Sequence, residues 1–388
     1  MMMHPAPVFL ILLGVVSALR FLEARPIGRR LVGFLPVPFW CYALPMILSS
    51  LGCLPSRSPV YDFFTSRLLA ACLFLLLLNL RLKSAARAGP AALGAMAAGA
   101  FGIAAGAIVS YAVFGSGLPS EMWRAFGALA GSWTGGSANM VAVKEALQAP
   151  EETFAPAVVV DALVTYSWMA LLIALVPLQE RWDRWVGAAP PDPEGGGSGF
   201  IETSRPEAGR SLRHGFWLVG GALLLGELCL GVAGFMPPAP SWGLTAAGWG
   251  FIIVTTLGIG LSLTPASRLE RFGASRWGYT CLYLLLAAIG AKARIQFLAQ
   301  TPLLLAAAAL WVAVHAVVLG AYGRMKRIPL SLLATASQAN FGGVASAPLV
   351  AGVYRPSLAP VGLLLALIGN AFGTYIGILV AQACRWVG

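Results

Sequence analysis

The stretch Gly131-Ser132-Trp133-Thr134-Gly135-Gly136-Ser137-Ala138-Asn139 decides how this chain is read. It lies in the middle of an apolar segment, residues 122–148, yet sets two adjacent glycines among hydroxyl and amide side chains. Gly-Gly breaks a helix and bares backbone amides and carbonyls. A second stretch of the same kind, Ser337-Gln338-Ala339-Asn340-Phe341-Gly342-Gly343-Val344-Ala345-Ser346, interrupts residues 331–351. Small residues also let helices pack closely in a membrane, which accounts for the glycines and serines. It does not account for Asn139, Gln338 and Asn340, because an unpaired amide is too costly in hydrocarbon to be there idly.

Hydrocarbon is the right setting. The 388 residues are 58% hydrophobic and 11% charged, with a mean hydropathy of +0.79; soluble domains carry about 25% charged residues. Besides the two broken segments, apolar runs occupy about 8–22, 31–54, 60–80, 90–114, 152–177, 215–235, 242–263, 277–297, 302–322 and 357–381. Most are long enough to cross about 30 Å of hydrocarbon. The net charge of +11 lies in short loops, where it orients helices against the bilayer and does not bind nucleic acid. The six cysteines contain no CxxC pair and the three histidines no metal-ligand spacing, so no metal site is expected. No cleavable signal or transit peptide is evident at the N-terminus. HExxH, P-loop and GxSxG patterns are missing, so an enzyme is not expected.

The runs fall into two sets. Residues 1–178 form an N-terminal unit and 215–388 a C-terminal one, joined over 179–214 by a Pro- and Gly-rich stretch that reads as a flexible cytoplasmic linker. Cys72-Leu-Phe-Leu-Leu-Leu matches Cys281-Leu-Tyr-Leu-Leu-Leu, Gly135-Gly136 matches Gly342-Gly343, and Phe154-Ala-Pro156 matches Leu358-Ala-Pro360. Landmarks kept in the same order at slowly drifting offsets imply a diverged duplication. If the broken segments enter and leave on one side, each unit has five crossings and the copies are inverted. That arrangement, with the N-terminus outside, gathers most of the 26 Lys and Arg residues inside, as the positive-inside rule requires. Six crossings per unit would distribute them much more evenly. The expected fold is therefore all-α and polytopic: two inverted repeats of five transmembrane helices, each with one glycine-rich re-entrant or discontinuous segment. Both termini are expected outside the cytoplasm; the strong preference for Arg over Lys points to a high-GC bacterial genome, and a bacterial inner membrane is the expected location.

Discontinuous helices at matching positions of two inverted halves are the best sequence pointer to a transporter's binding site. The expected ligand-binding residues are Ser132, Thr134, Gly135, Gly136, Ser137 and Asn139 on the first segment. On the second they are Gln338, Asn340, Gly342, Gly343 and Ser346. Asp161 joins them from the following helix, since a carboxylate near mid-membrane costs roughly 2.5–3.5 kcal/mol and usually marks an ion path. Its repeat counterpart is Leu365, and the second half offers Asn370 and Thr374 instead. This asymmetry suits one coupling-ion site, near Asp161 and Asn139. Glu227 and His315 are weaker candidates, read first as a solvated acid and a packed histidine. Lys144 and Glu145 are expected to snorkel to the outer surface. Arg355 either faces an anionic solute or orients its helix.

The two glycine-rich stretches, with Pro356-Ser-Leu-Ala-Pro-Val-Gly362 and the helix after it, resemble the domain-of-unknown-function 819 group, also called YjcL-like. That group is distantly similar to the superfamily of cation/proton antiporters, bile-acid symporters and sodium–glutamate symporters. The resemblance implies a scaffold and a core that moves like an elevator, with Asn139, Asn340 and Asp161 lining the core site.

The expected function is a secondary transporter, Na⁺- or H⁺-coupled, for a small and anionic organic solute. It needs no cofactor beyond the coupling ion. Its partners are the bilayer and the solute, and the chain could pair as a homodimer. A cation/proton antiporter exchanging at Asp161 is the alternative, and a membrane protein without transport activity a third reading.

Overall fold

Long apolar runs punctuated by Gly and Pro give a chain of helices, and no strand occurs among the described residues. The computed structural model describes residues 4–23, 25, 37–78, 89–188, 212–237 and 246–388. The N-terminal half contributes α1 (Pro5–Glu23), α2 (Val37–Ser50), α3 (Pro59–Leu77), α4 (Pro90–Phe114), α5 (Met122–Gly135), α6 (Ser137–Leu147) and α7 (Glu151–Ala174). A short helix, α8 (Gln179–Val186), follows. The C-terminal half contributes α9 (Leu212–Ala233), α10 (Ala246–Ser262), α11 (Ala274–Lys292), α12 (Thr301–Lys326), α13 (Leu330–Phe341), α14 (Gly343–Tyr354) and α15 (Ala359–Val387).

Seven of the described helices are long and apolar enough to cross a membrane: α1, α3, α4, α7, α9, α12 and α15. Three of the ten expected crossings fall short of that measure. α2 has 14 residues and α10 has 17 before a 91° bend into Pro265–Phe272. α11 is long enough at 19 residues but is diluted by Trp277, Tyr279, Thr280 and Tyr283.

Packing divides the helices into two groups. α1–α3 lie against α9–α11, while α4–α7 lie against α12–α15. α4 and α12 run antiparallel along their length. Ser110 Oγ donates to the Ala307 carbonyl at 2.6 Å, Trp311 Nε1 to Ile103 at 2.6 Å, and Gly94 sits beside Tyr322. In the other group Cys72 Sγ points at the Gly278 carbonyl of α11 (3.4 Å).

Residues 179–186 do not belong to a flexible linker. Trp182, Trp185 and Val186 give α8 one apolar side, and it docks on the start of α13. Trp182 Nε1 donates to the Ile328 carbonyl (3.1 Å) and Asp183 Oδ1 accepts from Leu330 N (2.8 Å). The Pro- and Gly-rich run 190–199 lies outside the described residues, as do Arg29, Arg30, Arg81, Lys83, Arg87, Arg205 and Arg210, which entered the charge argument.

Candidate functional site

Both glycine pairs end a helix and turn the chain back. α5 stops at Gly135, and Gly136 takes φ +82° before α6 begins. That is left-handed territory which a side chain resists. α6 then folds back beside α5, so that a Cβ at Gly131 would meet Val143 at 3.0 Å. The two free ends meet: the Arg124 guanidinium, near the start of α5, donates to the carbonyls of Leu147 (3.0 Å) and Gln148 (2.8 Å) at the end of α6. α5 and α6 are therefore one hairpin that enters and leaves at the same end of the bundle. Its arms, at 1.5 Å per residue, are roughly 20 Å long or less.

The second hairpin is α13 and α14, turned at Gly343 with φ +62°. Gln338 Nε2 reaches across the turn to Ser346 Oγ at 2.8 Å. α7 shows how the two hairpins are related. Glu151, in its first turn, binds Lys144 of the first hairpin, while Leu172 near its end accepts from the Tyr354 hydroxyl of the second (2.6 Å). The hairpins enter from opposite ends and their tips meet beside the middle of α7. There Thr165 Oγ1 donates to the Phe341 carbonyl (3.3 Å), Trp168 Nε1 donates to Ser337 Oγ (2.8 Å), and Asp161 lies against the Ser132 hydroxyl and the Trp133 indole. The rings of Trp133 and Phe341, 5.0 Å apart, join one tip to the other.

What the tips hold is a set of buried oxygens. Asp161 Oδ1 and Gln338 Oε1 are buried and make no bond of normal hydrogen-bond geometry with the chain, and Asn340 Oδ1, on a side chain turned toward α4, makes none either. Buried polar atoms are seldom left so. A carboxylate oxygen and an amide oxygen are donors that a hard cation such as Na⁺ would take, and the acid could instead carry a proton.

Asn139 is the most tightly held of the expected residues. Its Nδ2 donates to the carbonyls of Gly135 (2.6 Å) and Asn370 (3.2 Å), and its Oδ1 accepts from Thr374 Oγ1 (2.6 Å). This locks the first tip to α15, along which Gly127, Gly131 and Gly135 lie against Gly369, Gly373 and Gly377.

Ser132, Gly135, Gly136, Asn139, Asp161, Gln338, Gly342, Gly343, Ser346 and Asn370 are thus gathered at the two tips, with Ser137 half-buried at the first. Thr134 bonds the Ala130 carbonyl of its own helix (2.7 Å), and Asn340 turns to the Met96 carbonyl on α4 (3.2 Å). Arg355 follows α14 at the base of its hairpin, away from the tips. Lys144 does not snorkel. It is 4% exposed, with Nζ 2.8 Å from both Glu145 and Glu151, which neutralise it where the hairpin meets α7. Glu227 is ion-paired with Arg67 on the outside of the molecule.

Sequence reading passed over Ser337, Trp168 and the role of His315. His315 is fully buried, Nδ1 2.9 Å from the Gly99 carbonyl and Nε2 2.9 Å from Ser337 Oγ. A carbonyl can only accept, so the Nδ1–H tautomer donates to Gly99. Ser337 then donates to Nε2 while accepting from Trp168. The adjacency of Ser337 to Gln338 was the one available signal.

Helices of this length and apolarity, with two broken hairpins buried among them, define a polytopic α-helical membrane protein in contact with the bilayer. The family model described as "Protein of unknown function (DUF819)" matches residues 11–387, and the chain belongs to that family. It is 25% identical over 345 residues to the "Uncharacterized membrane protein YjcL" of Bacillus subtilis (strain 168), covering 86% of each chain. No solved structure matches it.

Proposed function

We propose that the protein is a secondary transporter in which the two hairpin tips and Asp161 bind a coupling Na⁺ or H⁺ with a small anionic organic solute. One observation carries this reading. Two hairpins from opposite ends of the bundle meet at α7, where Asp161 faces the Ser132 hydroxyl and the Trp133 indole and Gln338 Oε1 is buried without a partner. Such breaks in a membrane protein belong where backbone lines a cavity. The first turns of α6 and α14 carry amides with no helical acceptor, suited to a carboxylate, while the oxygens suit the cation.

An inverted repeat is part of the proposal. Its support is the antiparallel pairing of α4 with α12, the equivalent helices of the two halves, and the bond between Ile103 and Trp311, 208 residues apart. The repeat-matched Cys72 likewise faces the turn of α11 that holds Cys281. Movement of the α4–α7/α12–α15 group against the other as an elevator, and both termini outside a bacterial inner membrane, complete it.

The test is the thermal stability of the purified chain in Na⁺ against K⁺ or choline, from pH 6 to 8, with Asp161→Asn alongside. A site filled at a hundred times its dissociation constant adds about 2.7 kcal/mol. Na⁺-specific stabilisation that disappears in Asp161→Asn is the expected result, and anionic solutes should then stabilise further only with Na⁺ present. A pH effect through Asp161 without any Na⁺ effect turns the reading to proton coupling or exchange. If neither ion matters, the site assignment fails.

A further inference from the structure

Arg67 and Glu227 form an ion pair in a place that ordinary helix packing does not explain. Both belong to apolar helices of membrane-crossing length, α3 and α9. Arg67 lies about 12 Å into α3 from Pro59, and Glu227 about 9 Å before the end of α9, by the helical rise. Their side chains are nevertheless 48% and 39% exposed on the outer surface of the molecule. Arg67 also sits in the one π-helical turn of α3, Phe64–Leu68, a distortion frequently found at functional sites. Charges at such depth normally face protein or water and not acyl chains.

Something polar must cover the pair, and its own symmetry identifies the partner. Because the positive and negative groups are adjacent, a two-fold axis beside them brings each Arg67 to the Glu227 of a second copy. The pair is complementary to itself and to little else. An anionic lipid headgroup finds a neutral pair whose guanidinium is already occupied. The stripe on which Glu227 lies also suits a close approach: Gly220, Leu224, Glu227 and Gly231 share one face of α9, with Leu224 66% exposed and nothing near either glycine. Small residues of that kind let membrane helices come together backbone to backbone.

We infer that the α3/α9 face is an isologous dimer interface between two copies of this chain, with Arg67 of each protomer bridging to Glu227 of both. The inference is independent of the transport reading, since neither Arg67 nor Glu227 belongs to the hairpins or to α7. It is tested by counting subunits of the full-length protein in lipid bilayers by single-molecule photobleaching. Wild type should be dimeric. Arg67→Glu and Glu227→Arg should each be monomeric alone and should pair when mixed, since one then offers two acids and the other two bases. Where a single reversal does not fold, the swapped variant Arg67→Glu/Glu227→Arg serves, because it keeps the pair within each chain. It should dimerise with itself and refuse wild type. A monomeric wild type, single reversals that stay dimeric, or free mixing of swapped and wild-type chains overturns the interface. A monomer whose stability depends on anionic lipid and on Arg67 would point to a headgroup instead, and would overturn it equally.

Discussion

Replacing Asn139 by Ala tests whether the first tip is held by one buried amide. The change removes three hydrogen bonds: to the Gly135 carbonyl, to the Asn370 carbonyl and from Thr374. Leaving a buried polar group unpaired costs about 1–3 kcal/mol. Not all three stay unpaired, however. Thr374 is itself fully buried, and its hydroxyl can turn to the carbonyl of Asn370 four residues earlier, as threonines in helices do. That repairs two groups at once and leaves mainly the Gly135 carbonyl. The expected loss is therefore about 2 kcal/mol. Asn139→Asp should lose more, because it sets a carboxylate against two carbonyls. The bond to Thr374 is isolated by a double-mutant cycle with Thr374→Val. Side-chain bonds between membrane helices couple by about 0.6 kcal/mol on average and about 1.7 at most, and 2.6 Å geometry between fully buried partners belongs in the upper part of that range. The assay is reversible unfolding in mixed micelles followed by tryptophan fluorescence. Coupling indistinguishable from zero, or Asn139→Ala within about 0.5 kcal/mol of wild type as for a surface change, would refute the idea that Asn139 fixes the tip to α15.

Other outcomes follow from the same geometry. Lys144→Met should destabilise, by at most about 3–5 kcal/mol, because it strands two part-buried carboxylates, and Lys144→Met/Glu145→Gln/Glu151→Gln should recover most of that in the same unfolding assay. Arg124→Ala should free the base of the first hairpin, read as faster amide hydrogen exchange over residues 144–149 with the second hairpin unchanged. Gly377→Ala puts a methyl 2.7 Å from the Gly127 carbonyl and from Val143, so it should cost about 1–3 kcal/mol by overpacking. His315→Phe should take from the Ser337 hydroxyl its acceptor and from the Gly99 carbonyl its side-chain donor, lowering the melting temperature. Hydrogen exchange at the start of α13 should rise with it.

The breaks at Gly135-Gly136 and Gly342-Gly343 were legible because only a special environment tolerates such residues in hydrocarbon, and both fall where the chain turns back. Asp161 stood out for the same reason, and it lies beside the first of these breaks. The fate of Lys144 was not: a lysine near a helix end ordinarily reaches for water, and the carboxylate that keeps it inside belongs to the next helix, Glu151. Thr374 and Asn370 bind Asn139 across 230 residues of chain, a pairing that no local pattern encodes. α8 was misread because its neighbours in sequence are Pro- and Gly-rich, whereas its order comes from Ile328 and Leu330 far along the chain. The His315–Ser337–Trp168 chain of bonds joins three helices far apart in sequence, so no local pattern links its members. Orientation in the bilayer rested on basic loops, several of which lie outside the described residues.

The hairpins have an electrical consequence. Neither arm is long enough to cross about 30 Å of hydrocarbon alone, and the two chains of backbone meet in the interior of the slab. The membrane voltage falls across whatever dry layer separates the two solutions, so a cation held beside Asp161 would stand within the potential drop from either face. Each elementary charge carried through the whole of it is worth about 2.3 kcal/mol per 100 mV. If the proposed coupling holds, the resting potential would act as a second driving force alongside the ion gradient. Whether the proposed solute's negative charge cancels the ion's positive one would then decide if transport responds to voltage at all.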